Sequence, residues 1–146
     1  MLAFITQTAI KLIDSLGPRD RGAIPAHQRV GRQGEEAAYF YLRKLGYVMV
    51  ARNYRSARRR GEIDLIGWDK DVLCFIEVKT RTSHDVKPAG AAVDGDKQRE
   101  LVGMANEYLR RLREPVQWRF DVASVYYEQS AASPAIELFK NAFSVS

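Results

Sequence analysis

Apolar and polar positions alternate with two different periods along this chain of 146 residues, and the switches between them mark its elements. Leu2, Ile5, Ala9, Leu12, Ile13 and Leu16 recur at helical spacing, and Gly17-Pro18 stops the run. Residues 17 to 28 then read as a linker. A second helix is predicted from about Val30 to Leu45, ended by Gly46, with Ala38, Tyr41, Leu42 and Leu45 as its buried stripe. At about 100° per residue, Glu35 lies roughly 70° from the centre of that stripe and can reach a packed sheet, whereas Glu36 faces water. Strand-like runs follow at Tyr47 to Tyr54, at Gly61 to Asp69 and at Asp71 to Thr80, the last two joined by a tight turn at Asp69-Lys70-Asp71. Residues 82 to 95 read as an irregular loop containing Pro88, Gly90 and Gly95. A helix begins near Asp96 with Leu101, Met104, Tyr108 and Leu112 inward, and strands at Trp118 to Tyr127 and Ile136 to Phe139 close the chain. The order αβββαββ, after an extra N-terminal amphipathic helix, predicts an α/β fold: a mixed β-sheet flanked by helices. The expected division is an N-terminal helix and linker over 1–28 and one domain over 29–146.

Two of these strands break the rule that buried strands carry no charge. Asp64 sits inside Gly61-Glu62-Ile63-Asp64-Leu65-Ile66, and Glu77 and Lys79 sit inside Phe75-Ile76-Glu77-Val78-Lys79-Thr80. Buried carboxylates are costly unless paired or bound to metal. A hairpin centred between Lys70 and Asp71 sets Asp64 opposite Glu77, with Cβ atoms about 4.5–5.5 Å apart. A slip of one residue would put the acids on opposite faces. Two carboxylates so close repel unless a proton or cation intervenes. An all-oxygen site favours Mg²⁺ or Mn²⁺, with Asp64 and Glu77 as ligands. Lys79, one pleat further along the same face, can stabilise charge developing on a phosphate, and Glu35 can hold a water or add a ligand. That set suits metal-assisted hydrolysis of a phosphodiester. The competing reading is an ion-paired triad in which Lys79 neutralises Glu77 and Asp64 caps a backbone group.

Charge sharpens the choice of substrate. Residues 27 to 60 hold nine Lys or Arg against two acids, and residues 61 to 146 hold eleven against fourteen. A basic segment beside an acidic one suits a polyanion held next to a carboxylate site, although ordinary surface scatter produces the same numbers. Arg55, Arg58, Arg59 and Arg60 directly precede the Asp64 strand and are candidates for nucleic-acid backbone contacts. Lys97 and Arg99 can add phosphate contacts or simply form a polar helix end. Arg119 and Asp121 read as a structural pair. His27 and His84 are isolated and make no site. Tyr54 and Trp68 can stack on bases, though packing is the commoner role of such aromatics. One cysteine excludes a disulfide framework, and Cys74 reads as core. No apolar run approaches the ~18 residues of a membrane span, and a reducing, cytoplasmic setting is the default expectation.

The acid followed by acid-x-lysine, here Asp64 and Glu77-Val78-Lys79, resembles the signature of the PD-(D/E)-x-K nuclease superfamily. The flanking residues narrow the resemblance. Gly31-Arg32-Gln33-Gly34-Glu35 with Ala38, then Gly46-Tyr47, Ala51-Arg52-Asn53-Tyr54, GEIDLI, FIEVKTR, Lys97 and Arg119-Phe120-Asp121-Val122 are similar to the YraN-like family of small bacterial proteins over about residues 29 to 143. That family is classed as inferred endonucleases and is akin to archaeal Holliday-junction resolvases. The resemblance implies a restriction-endonuclease-like fold, metal ligands at Asp64 and Glu77, a catalytic lysine at Lys79, an assisting acid at Glu35, DNA as partner and a homodimer. A non-catalytic nucleic-acid-binding or interaction module on the same fold is the alternative. The N-terminal helix lies outside the shared region, and the loop between Tyr54 and Gly61 is longer and more basic than the family pattern.

Overall fold

The computed structural model describes residues 26–81, 93–127 and 133–143. The helix expected over residues 2 to 16, most of the linker and the stretch 82 to 92 with His84 lie outside the described residues.

Helix α1 spans Ala26–Lys44, beginning four residues before the expected Val30 and reaching into the segment read as linker. Pro25 immediately precedes it in sequence, a residue well suited to a helix start because the first N–H groups have no intrahelical partner. His27 falls in its first turn. At the other end Gly46 takes φ +98, a left-handed conformation that favours glycine, and Tyr47 N donates to Leu42 O at 3.0 Å. Arg43 and Lys44 lie in the last turn, where the helix dipole favours cations.

The buried stripe is rotated from the expected one. Ala38, Tyr39 and Leu42 are buried, Tyr41 is only partly so, and Leu45 is exposed. Leu45 lies past the last helical residue, where the chain has already turned away. Tyr39 is covered by the guanidinium of Arg52, 4.7 Å from its ring centroid, and by that of Arg43 at 5.7 Å.

The strands are β1 (Val48–Tyr54), β2 (Ile63–Asp69), β3 (Val72–Arg81), β4 (Gln117–Tyr126) and β5 (Ala135–Phe143), in one sheet of order β1-β2-β3-β4-β5. Neighbours are antiparallel except β3 and β4, which are parallel. A parallel pair needs a crossover, and helix α2 (Gly95–Leu109) lies within it. Asp94 caps that helix, its carboxylate accepting from Lys97 N at 2.8 Å.

Two apolar layers hold the sheet. On one face Ala38, Tyr39 and Leu42 of α1 pack with Leu65, Ile76 and Val125. On the other Leu101, Met104 and Ala105 of α2 pack with Ile63, Phe75 and Phe120. Tyr54 and Trp68 join the second layer, and Tyr54 meets Tyr108 edge-on at 5.4 Å, so both aromatics act in packing. Cys74 is buried in the first layer, and burial pushes its thiol up to about 12, which keeps it protonated and inert.

Arg119 and Asp121 form the structural pair expected of them. Arg119 Nε donates to Asp121 at 2.9 Å and Nη2 donates to Asp69 at 2.8 Å, while Lys140 Nζ donates to Asp69 at 3.1 Å. Asp121 also accepts from Asn141 N at 2.9 Å, beside the register shift between Phe120 and Val122. A fully buried carboxylate thus satisfies a backbone donor near the irregularity in the β4–β5 pairing.

Candidate metal and phosphate site

The β2–β3 register brings the strand acids together. Leu65 pairs with Ile76 and Asp69 with Val72, and the same register one step further sets Asp64 across from Glu77. Asp64 Oδ2 there accepts from Val78 N at 2.8 Å, a side chain bridging the hairpin just beyond the Leu65–Ile76 pair. Glu77 and Lys79 alternate with Ile76 and Val78, which face α1, and so lie on the α2 side.

Helix α1 contributes Glu35 because it can approach β3 closely. A Cβ built on Gly34 would lie 1.8 Å from Thr80 Oγ1, so only glycine permits this contact. Glu35 consequently faces the sheet half-buried, while Glu36 is exposed. At the end of β1, Asn53 takes φ +49, a left-handed conformation that asparagine tolerates. Its side-chain amide donates to Glu35 Oε2 at 3.0 Å and to Glu62 Oε1 at 3.4 Å. One carboxylate oxygen each of Glu35, Glu62 and Asp64 lies within 4.8 Å of the other two. Glu62 was absent from the expected set. It directly precedes β2 and follows a glycine, a position with no strand periodicity to point its side chain, and Glu35 and Asn53 reach it only through the fold.

The electrostatics are unbalanced. Burial, then the charge of Glu77, pushes Asp64 up to about 8, and the hydrogen bond from Val78 opposes this only in part. Burial and the charge of Glu62 also raise Glu35 above the usual carboxylate range. Glu77 is buried, with Lys79 Nζ at 3.6 Å and Lys97 Nζ at 3.9 Å from Oε1. Among the described residues its Oε2 is buried with no hydrogen-bond partner. The ion-paired triad is therefore present in its contacts, Lys79 on Glu77 and Asp64 on a backbone N–H. It nevertheless leaves one oxygen orphaned and three acids crowded, which a purely structural arrangement would avoid.

A divalent cation fits this donor set. Oxygens bound to one Mg²⁺-sized ion at about 2.1 Å stand at most ~4.2 Å apart. The 4.8 Å limit on the cluster is close to that, so a small contraction suffices. Asp64 and Glu35 of this cluster would hold it; Glu77, the second ligand expected, is not in the cluster but stands beside Asp64, with no hydrogen-bond partner for its Oε2 among the described residues.

The basic residues divide. Lys97 belongs to the site through Glu77. Arg55 does too, through Glu62, to which Nε donates at 3.0 Å while Nη2 lies at 2.9 Å. Arg59 is drawn away: its guanidinium packs over Gly103, where a Cβ would lie 2.2 Å from Nη1, and Nε lies 3.4 Å from Glu107. Arg99 pairs with Asp96 one helical turn back, on the exposed side of α2. Arg58 and Arg60 are exposed, and neither guanidinium is ion-paired among the described residues.

The five-stranded mixed sheet with a helix on each face, and acids meeting on its central hairpin, define an α/β protein with a restriction-endonuclease-like fold. The model of the family described as "Uncharacterised protein family UPF0102" matches residues 34–125, from Gly34 through the acid cluster to β4, and the chain belongs to that family. A UPF0102 protein from Koribacter versatilis is 46% identical over 141 residues, covering 97% of this chain and 96% of its own. Another from Solibacter usitatus is 47% identical over 116 residues, covering 77% and 84%, and one from Symbiobacterium thermophilum is 50% identical over 99 residues, covering 67% and 82%. Among the described residues no helix is long and apolar enough to cross a membrane.

Proposed function

We propose that this chain is a cytoplasmic, Mg²⁺- or Mn²⁺-dependent endonuclease that hydrolyses DNA phosphodiester bonds, at branched or damaged structures. The observation that carries the reading is the buried, partnerless Oε2 of Glu77 beside an Asp64 pushed up to about 8. Groups arranged this way cost stability in the free chain, and that cost has a purpose if a cation resides there.

When bound, a divalent cation supplies a polarised phosphoryl oxygen and a readily deprotonated water. The chain's own residues do the rest. Asp64 and Glu77 would hold the cation, Asp64 as its carboxylate. Glu35, held by Asn53, orients the attacking water, and its carboxyl, raised by burial and by Glu62, is the group placed to take the proton. Lys79 and Lys97, both about one-third exposed, present amines toward the charge that builds on the phosphate. Arg55, Arg58 and Arg60, exposed in the loop that precedes the Asp64 strand, hold the backbone of the nucleic acid without reading its sequence. A homodimer would present two such sites to a branched substrate.

The test is cleavage of flap, nicked, junction and single-stranded DNA by the purified chain in Mg²⁺ and in Mn²⁺. Cleavage of at least one substrate is expected, falling by about 10²-fold or more in Asp64→Ala and Lys79→Ala while the circular dichroism spectrum is kept. A wild-type chain that cuts none of them in either metal overturns the enzyme reading. Salt-dependent binding without turnover would then leave the non-catalytic module.

A further inference from the structure

Glu62 stands between two claims on it. One of its oxygens lies within 4.8 Å of ligand oxygens of Glu35 and Asp64, close enough to join them on one ion. Yet both of its oxygens are already engaged by other side chains. Arg55 approaches Oε2 with two nitrogens, at 3.0 and 2.9 Å, and Asn53 donates to Oε1 at 3.4 Å. Arg55 differs from the other arginines of its loop. Arg59 is packed on α2, and Arg58 and Arg60 touch no carboxylate of the site. Of the arginines in this loop, Arg55 alone grips a site carboxylate among the described residues, and it remains 76% exposed, so an incoming anion can reach the guanidinium that does the gripping. Glu62 is only 25% exposed and lies beside the cluster.

We propose that Glu62 is a ligand of the cation which Arg55 withholds in the free chain, and that a DNA phosphate binding Arg55 releases Glu62 to the metal. The inference rests on the nuclease reading and adds to it an order of events. A guanidinium fork binds phosphate in the same geometry as carboxylate, so phosphate and Glu62 compete for it. Each exchange is between charge-assisted hydrogen bonds, so it is close to balanced, and the gain is the extra carboxylate on the cation. The site then closes around its metal when substrate arrives, with full metal affinity conditional on the polyanion.

Mn²⁺ binding by the full chain, read by calorimetry and by the loss of the free-ion paramagnetic resonance signal, tests this without requiring turnover. Asp64→Ala serves as the test of the underlying site: if wild type and Asp64→Ala bind Mn²⁺ equally, the metal-site reading itself fails. Given binding that Asp64→Ala removes, Arg55→Gln is expected to tighten Mn²⁺ about 2–5-fold, the worth of an exposed ion pair. Glu62→Gln should weaken the wild-type affinity in the presence of a phosphorothioate-linked oligothymidine by about tenfold, and the double variant Arg55→Gln/Glu62→Gln should lose the tightening. The oligothymidine should tighten Mn²⁺ for wild type but add little to Arg55→Gln. Arg32→Gln removes an exposed positive charge that acts on Glu35 without touching Glu62. If it tightens Mn²⁺ as much as Arg55→Gln does, the effect is through-space charge and the latch is overturned. Unchanged affinity in Arg55→Gln, or an oligothymidine effect that survives in it, overturns the latch as well.

Discussion

The molecule holds two clusters of charged side chains in its sheet, and they are built to opposite rules. In one, Asp69 and Asp121 meet Arg119 and Lys140 with contacts between 2.8 and 3.2 Å. Hydrogen bonds from Arg119 hold the Asp69 carboxyl below its ordinary range, and each acid has a partner. In the other, Glu35, Glu62 and Asp64 crowd together with Glu77 beside them, the nearest amines stand 3.6 and 3.9 Å from Glu77, and one buried oxygen has no partner among the described residues. There the carboxyls of Asp64 and Glu35 are pushed up. The residue types are the same. What separates a strut from a site is whether the charges are satisfied within the chain or left for something outside it.

The largest effect expected of breaking this contrast is loss of stability at the satisfied cluster. Arg119→Ala strands Asp121, which is fully buried, and should cost about 3–5 kcal/mol in denaturant unfolding. At the unsatisfied cluster Asp64→Asn should do the reverse. Its amide oxygen can still accept from Val78, but the strained charge is gone, so the metal-free variant should melt several degrees above wild type at pH 8. A stability loss comparable to that of Arg119→Ala would erase the distinction between the clusters.

The pH dependence sharpens the same point. A carboxyl whose folded pKa is raised keeps its proton longer folded than unfolded. Its stabilisation is therefore full below the ordinary aspartate value and is lost as pH rises toward about 8. Asp69, lowered in the fold, works the other way and contributes above the ordinary value, fading as acid is added. Metal-free wild type should thus lose stability between about pH 4 and pH 8, and Asp64→Asn should lose much less over that interval. Saturating Mn²⁺ should flatten the wild-type profile, because the cation replaces the proton.

A smaller effect is expected where α1 meets the sheet. Gly34→Ala forces a methyl against Thr80 and should cost about 1–3 kcal/mol while moving Glu35 outward, and Thr80→Ala should restore part of it. Smallest is the effect of the exposed arginines. Replacing Arg58 and Arg60 with serine should leave the melting temperature unchanged and lower the slope of log K against log salt for DNA by about 0.7–0.9 for each lost phosphate contact.

Much of the architecture was legible before folding was considered. Period-2 and period-3.6 patterns located both described helices and all five strands, with errors at their ends. The turn at Lys70-Asp71 set the hairpin register, because a two-residue connection admits few alternatives. Ends were harder. The start of α1 depends on weak signals around Pro25, and the burial of Tyr39 depends on Arg52, which arrives from a different element. Glu62 was invisible for a related reason, since its neighbours Glu35 and Asn53 come from α1 and β1.

By itself the order of residues determined that two acids and a lysine would be drawn into the middle of a sheet, because alternation along a strand and a short turn are local constraints. Only the tertiary structure decided which charges meet. It gave Asp121 its arginine and left Glu77 an oxygen without a partner, sent Arg59 to α2 and Arg55 to Glu62, and brought a helix against β3 at Gly34. Electrostatic energy depends on distance and burial, and neither exists until elements remote in sequence have packed.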